Sequence, residues 1–191
     1  MSSGTKRQLA EMRCIAEAMR AELGPFVERI HIAGSIRRLC PQVGDIELVC
    51  VPRIEVTRDL LGAEIGSVNL LDRHCEEQIS FSTWAHRLDK NGRTAFGERA
   101  KRITAYGVPV DLFSVLPPAQ FGLIYAVRTG PADFSRRLIT RRSQGGMLPN
   151  DLEVKDGAVR RWSTGEVIHT PEERDLFALL GIDWTDPADR A

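Results

Sequence analysis

Residues 34–51 read GSIRRLCPQVGDIELVCV, and the last seven, Asp45-Ile46-Glu47-Leu48-Val49-Cys50-Val51, decide the fold. Their period-two alternation predicts a strand whose apolar content rises toward its end, as in a strand entering a core. Asp45 and Glu47 then project from one face while Ile46 and Leu48 project from the other. Two acids on one face of an otherwise apolar strand repel each other and resist burial, so a cation belongs between them. A second apolar strand, VPVDLF at residues 108–113, carries Asp111, and laid beside the first it adds a third carboxylate to the same surface. Three carboxylates without His or Cys suit a hard cation such as Mg²⁺ or Mn²⁺, and a pair of such ions serves phosphoryl transfer.

The plain alternative for an Asp-x-Glu pair is the wet face of an edge strand. The upstream turn argues against it. Gly34-Ser35-Ile36-Arg37-Arg38 offers free backbone N–H groups, a hydroxyl and two guanidinium forks, a set suited to a triphosphate chelated to the same metal. Gly44, just before Asp45, lets a phosphate approach the backbone.

Outward from this stretch the pattern is mixed. Residues 7–23 carry Leu9, Met12, Ile15, Ala16, Met19 and Leu23 at helical spacing, ended by Gly24-Pro25. Residues 27–32 alternate as a strand before Ala33-Gly34-Ser35 breaks them. Residues 69–87 have mixed helical character, and Asn91-Gly92 marks a hairpin turn. Residues 101–115 read as two short strands about Tyr106-Gly107. After Pro117-Pro118 come helices over residues 119–128 and 131–143, strands near Leu152 and Val159 joined by Asp156-Gly157, and another near Val167. Thr170 as N-cap, Pro171 at the first helical position and Glu173 closing a capping box predict a last helix running to Leu180.

The chain of 191 residues has room for one core and a modest lobe, and its 42% hydrophobic and 27% charged residues exclude disorder, coiled coil and collagen. No apolar stretch approaches the roughly 18 residues of a bilayer span, and the polar N-terminus lacks a secretory signal, so an intracellular, cytoplasmic protein is expected, with no membrane partner. The four cysteines form no CxxC pair and the four histidines are scattered, which disfavours structural zinc. His74 beside Cys75 reads as a surface histidine next to a packing cysteine.

With these residues assembled, GSIRRLCPQVGDIELVCVP and VPVDLF resemble the Gly-Ser turn, arginine pair, acidic pair and third-carboxylate strand of the family X DNA polymerases, the nucleotidyltransferases similar to DNA polymerase beta. The resemblance implies an α+β fold: a palm of mixed sheet flanked by helices, with a small α/β C-terminal lobe. It divides the chain into an N-terminal helix (1–26), a palm (27–116) and a thumb-like lobe (117–191). It implies that Asp45, Glu47 and Asp111 bind two Mg²⁺ or Mn²⁺ ions, that Asp111 helps activate a primer 3′ hydroxyl, and that Ser35 and Arg38 hold the β- and γ-phosphates. Gly34, Arg37 and Gly44 belong to the same nucleotide site.

Arg128-Thr129-Gly130 followed by Phe134 resembles the family's Thr-Gly motif and the helix that covers the nucleotide, with Ser135 beside it, and TPEERDLFALLGIDW resembles its closing helix. The chain also departs from the pattern. Its acidic pair is Asp-x-Glu where the polymerases usually have Asp-x-Asp. Val127 and Arg128 stand where Tyr and Phe are common, Pro109 where an Arg often contacts the primer, and Ser135 where an Asn is frequent. Only one helix precedes the palm, so the lyase and helix-hairpin-helix elements of many relatives are not expected.

The formal net charge of zero hides local opposites. Residues 87–102 hold Arg87, Lys90, Arg93, Arg99, Lys101 and Arg102 against Asp89 and Glu98, and residues 128–142 hold five arginines against Asp133. The stretch 170–191 has six acids against Arg174 and Arg190. Arg99, Lys101, Arg102, Arg136, Arg137, Arg141 and Arg142 are the candidate DNA contacts; the plain alternative for the last four is a wet helix face, and their place in the lobe that would cover nucleotide and template favours phosphate binding. The expectation is a monomer that adds a nucleoside monophosphate from a (deoxy)nucleoside triphosphate to the 3′ hydroxyl of a DNA primer, primer-template or single strand. Untemplated or non-DNA transfer, and a non-catalytic DNA-end or nucleotide-binding module, stay open.

Overall fold

The computed structural model describes residues 6–89 and 91–190. In chain order its elements are β1 (Arg7–Gln8), α1 (Leu9–Leu23), β2 (Val27–Ile32), the single-turn α2 (Gly34–Arg37), β3 (Gln42–Val43), β4 (Ile46–Pro52), β5 (Ile54–Arg58) and β6 (Glu64–Asn69). Then follow α3 (Leu70–Ser80), β7 (Ala85–His86), β8 (Ala100–Ala105), β9 (Val108–Ser114), α4 (Phe121–Thr129) and α5 (Ala132–Ile139). The chain ends with β10 (Leu152–Lys155), β11 (Ala158–Arg161), β12 (Val167–Ile168) and α6 (Glu173–Leu180). The protein is α+β.

A five-stranded sheet of order β2-β4-β9-β8-β7 organises the first two thirds of the chain. The sheet is mixed: β4 and β9 run parallel, and the other neighbours pair antiparallel. Strand alternation gives each face its own core. Leu48, Cys50, Val110, Leu112, Ile103 and Ala105 point to one side and bury Met12, Met19 and Leu23 of α1 with Leu71 and Cys75 of α3. Val49, Phe113 and Val115 point to the other side and meet Ala33 and Phe121. A third cluster, from Leu123 and Ala126 to Phe134, Leu138, Leu152, Val159 and Phe177, fills the C-terminal region.

Helix α4 belongs to two clusters at once: Phe121, Ile124 and Tyr125 face the sheet, whereas Leu123 and Ala126 face the C-terminal cluster. Its Gly122 lies so close to the start of α6 that a Cβ there would sit 2.1 Å from the Glu172 carbonyl oxygen. The apolar amphipathicity of α4 therefore seats the C-terminal elements over the sheet face that carries Glu47 and Asp111.

Several local expectations shift. Helix α1 begins at Leu9, because Arg7 and Gln8 pair with Val43 and Gln42. The break after β2 is the helical turn α2. Helix α5 stops at Ile139 and a 3₁₀ turn at Arg142–Gln144 follows. The last helix is capped two residues later than its Thr-Pro signature suggests: Glu172 is the N-cap and Asp175 closes the box. Residues 54–69, unassigned by pattern, form the exposed β5–β6 hairpin. Tyr106 and Gly107 do turn β8 into β9, both at positive φ. His74 is buried rather than on the surface, stacked on Phe26 at 4.1 Å and 3.3 Å from Glu22.

Lys101 is the largest correction. It lies on the helix-covered side of β8, 2% exposed, its Nζ 2.5 Å from an Asp72 oxygen and donating to the Gly97 carbonyl at 2.9 Å. A side chain so enclosed does not reach a DNA phosphate; it ties α3 to the sheet. Removing Asp72 strands a fully enclosed ammonium, whereas replacing Lys101 with an apolar side chain of similar length leaves a carboxylate that is 21% exposed and reaches water. Asp72→Ala is therefore expected to cost about 3 kcal/mol in urea unfolding and Lys101→Met distinctly less; equal losses would refute this role.

Candidate active site

The register of β4 on β9 sets Glu47 directly beside Asp111, and the register of β9 on β8 sets Asp111 beside Arg102. The Arg87 N–H donates to the Arg102 carbonyl one strand further out. One row across the sheet thus carries two carboxylates and then two guanidiniums. Because β4 lies between β2 and β9, this acidic strand is central, which removes the edge-strand alternative. Asp45 immediately precedes β4 and is charge-coupled to both carboxylates.

This crowding has an electrostatic signature. Burial, then the charges of Asp45 and Asp111, push the Glu47 carboxyl up to about 7, against the pull of Arg128 and Arg38. Asp111 is raised as well, chiefly by burial, although Arg87 and Arg102 oppose the shift. Arg87 is paired with Asp111 through Nη2, and Arg102 Nε lies 3.6 Å from its other oxygen. Among the described residues no three His, Cys, Asp or Glu side chains close on a single point. The donors are all oxygen and share one face, but Asp111 is turned onto Arg87.

The Gly34–Arg38 turn abuts this row. The Ala33 N–H donates to the Glu47 carbonyl at 2.8 Å, and Gly34 follows at φ 59°. A Cβ on Gly34 would lie 1.7 Å from Glu47 Oε2, so both conformation and space require glycine there. Ser35 Oγ is buried without a hydrogen-bond partner among the described residues. Arg38 donates to the Thr129 carbonyl, drawing the turn against the Thr-Gly segment.

Arg37 corrects the sequence reading. Its guanidinium donates to both oxygens of Glu173, at 2.8 and 2.7 Å, and to Thr129 Oγ1 at 2.7 Å, and it lies over the Tyr125 ring at 3.9 Å. So engaged, it is a strut between the turn and the C-terminal lobe and not a free phosphate ligand. Glu173 also accepts from Arg190 at 2.8 Å and from Trp184 Nε1 at 3.0 Å. Although burial alone would raise its pKa, the hydrogen bonds from Arg37 and Arg190 bring it down to about 2.

The remaining candidates divide by accessibility. Arg128 is exposed, lies over the Phe113 ring at 3.8 Å and is charge-coupled to Glu47 and Asp111. Gly44 has open space where a Cβ would stand. Thr129 is buried, and Gly130 is pressed against Phe134 and Ser135. Phe134 is packed into the C-terminal cluster and Ser135 Oγ donates to the Val127 carbonyl at 2.6 Å, so neither side chain faces a ligand here. Arg99, Arg102, Arg136 and Arg137 are exposed, Arg102 half so. Arg141 and Arg142 are spent on the lobe itself, donating to the carbonyls of Leu152 and Leu180. Lys90 lies outside the described residues.

Sequence reasoning missed three participants. Arg87 enters the sequence reading only within a basic run, Glu173 only as a cap and one of six tail acids, and Arg190 only as a counter-charge to that tail. Each acts across a sequence gap that carries no periodic signal.

Residues 124–191 match the family model of the DNA polymerase beta thumb. Over 81 residues the chain is 31% identical to DNA polymerase lambda of Rattus norvegicus, a match that covers 40% of this chain and 14% of that relative.

The depressed Glu173 pKa has a definite sign. The stability it contributes is present above the ordinary value of 4.5 and is lost as pH falls toward about 2. Glu173→Gln is expected to be less stable than the parent by about 3 kcal/mol at pH 7, with the gap closing between about pH 5 and pH 2 in denaturant titrations. A gap independent of pH would contradict the network.

Proposed function

We propose that this chain, similar in residues 124–191 to the DNA polymerase beta thumb and over 81 residues to a DNA polymerase lambda, is a metal-dependent nucleotidyltransferase of the family X kind. It adds a nucleoside monophosphate from a (deoxy)nucleoside triphosphate to a polynucleotide 3′ hydroxyl and releases pyrophosphate. One observation carries this reading: the β4–β9 register that seats Glu47 beside Asp111, next to a glycine turn whose buried serine hydroxyl has no partner among the described residues.

The donor chemistry fits Mg²⁺ or Mn²⁺. Asp45, Glu47 and Asp111 offer only oxygen, and the Glu47 carboxyl, raised first by burial and then by the charges of Asp45 and Asp111, is one that a divalent cation would hold ionised. A bound ion supplies charge neutralisation for the triphosphate and a more acidic acceptor hydroxyl. The chain's own residues do the rest. Ser35 and Arg38 hold the outer phosphates, while Arg128, exposed beside the carboxylates, screens charge on the nucleotide. Asp111, its pKa raised by burial, accepts the proton of the attacking hydroxyl. The hydroxyl oxygen bonds to the α-phosphorus as the bond to the bridging oxygen breaks, and the electron pair leaves with pyrophosphate. Arg37 and Glu173 keep the turn and the Thr-Gly segment in one geometry, which is how positioning lowers such barriers.

A labelled primer offered gapped, templated and unpaired, with deoxy- and ribonucleotides and either metal, tests this. Incorporation is expected, and Asp111→Asn should reduce it by about a thousandfold while leaving the unfolding transition in place. Failure of the parent chain to extend any primer, or an active Asp111→Asn, would overturn the reading.

A further inference from the structure

The β5–β6 hairpin stands apart from the carboxylates. It follows Pro52, which lies five residues along β4 from Glu47, about 17 Å at the rise of a strand. All of β5 is exposed, and so is β6 up to Val68. Ile54, Val56, Ile65 and Val68 therefore meet water, and Leu60 and Leu61 at the tip are fully exposed. The two strands pair with each other alone, so among the described residues both long edges lack a neighbour. A two-stranded sheet is marginal in water, and open edges with apolar side chains template a further strand.

One edge borders a groove. The pairing of Ile54 with Asn69 and of Val56 with Ser67 puts Ile54, Ser67 and Asn69 on one face of the hairpin, and Val68 on the other. The first face lines a cavity of about 510 Å³ together with Glu76 of α3, Glu98 and Leu116. Glu76 and Glu98 are exposed, whereas Asp72 beside them is committed to Lys101. Charge narrows the choice of occupant. Residues 54–80 hold six acids against Arg58 and Arg73, His74 being buried. Such an excess repels a nucleic acid or an anionic membrane, and it equally repels the same surface of a second copy.

We propose that the hairpin is a docking element for a partner protein, whose extended, alternately apolar and basic segment pairs with the free edge of β6 as a third strand. On the groove side its lysines or arginines meet Glu76 and Glu98. On the other side its apolar residues pack beside Val68. In strand addition the main-chain hydrogen bonds supply affinity and the alternate side chains specificity. None of these residues belongs to the nucleotidyl-transfer site, so the inference stands apart from that reading.

The probe is a labelled peptide of alternating valine and lysine, titrated with the full chain in fluorescence anisotropy. An alternating Val-Glu peptide reverses its charge, and an alternating Gly-Lys peptide keeps the charge but loses strand propensity. Val-Lys is expected to bind about tenfold more tightly than either control. Glu76→Gln combined with Glu98→Gln should weaken it about fivefold while leaving the unfolding transition in place, both side chains being exposed. In hydrogen exchange the Val-Lys peptide should slow the amides of residues 64–69.

Equal binding of Val-Lys and Gly-Lys, or unchanged exchange at residues 64–69, would overturn the proposal and leave only diffuse charge attraction. Protection of the same amides by a single-stranded oligonucleotide, or by self-association seen in sedimentation of the chain alone, would give the edge to another occupant and refute it as well.

Discussion

The pairing of β4 with β9 is the constraint on which the rest of this structure depends. Two strands whose inner faces are apolar enough for the centre of a sheet bring Glu47 and Asp111 side by side, with Asp45 at the entrance. Burial first, and then the charges of neighbouring carboxylates, raise the pKa values of Glu47 and Asp111, and the cost has to be met by positive charge. The protein meets it with guanidiniums: Arg87 and Arg102 on the β8 side, Arg38 from the Gly34–Arg38 turn, and Arg128 over the Phe113 ring. A basic-residue tally along the chain shows neutrality, yet in space the cations gather around the acids.

The C-terminal lobe is held over this face by both apolar and ionic means. Helix α4 shares its residues between the sheet and the lobe, and Gly122 lets α6 approach it within backbone distance. The network Arg37–Glu173–Arg190, with Thr129 and Trp184, adds a directional lock. Arg29 reinforces it outside, pairing with both oxygens of Glu172 and lying over the Phe121 ring. Buried ion pairs contribute little net stability, but they specify geometry, because each partner is costly to leave alone. Such a lock suits a site whose chemistry is positioning.

Legibility in the sequence followed the range of the interaction. Alternation in residues 45–51 and 108–113, the Tyr106-Gly107 turn and the apolar stripe of α1 are local, and each appears where the pattern puts it. The Gly34 requirement was also visible as a motif, although its reason, the proximity of Glu47 Oε2, was not. Charged side chains were the weak point. Lys101 and Arg102 are adjacent and equally basic in the sequence, but strand alternation sends one under α3 and the other toward Asp111. Arg37 and Arg38 likewise part company: Arg37 has both arms on Glu173, whereas Arg38 commits only Nη1, to the Thr129 carbonyl.

By itself the sequence determined the succession of strands and helices, the strands that bear the acids, the glycine turn and the oxygen-only donor set, because residue type and near-neighbour spacing suffice for those. Only the tertiary structure decided that the acidic strand is central, that Arg87 faces Asp111 across 24 residues, and that Arg37 and Lys101 are struts and not ligands. The physical reason is that an ion pair depends on distance in space, and strand order and register across a sheet bring together charges that no sequence period relates.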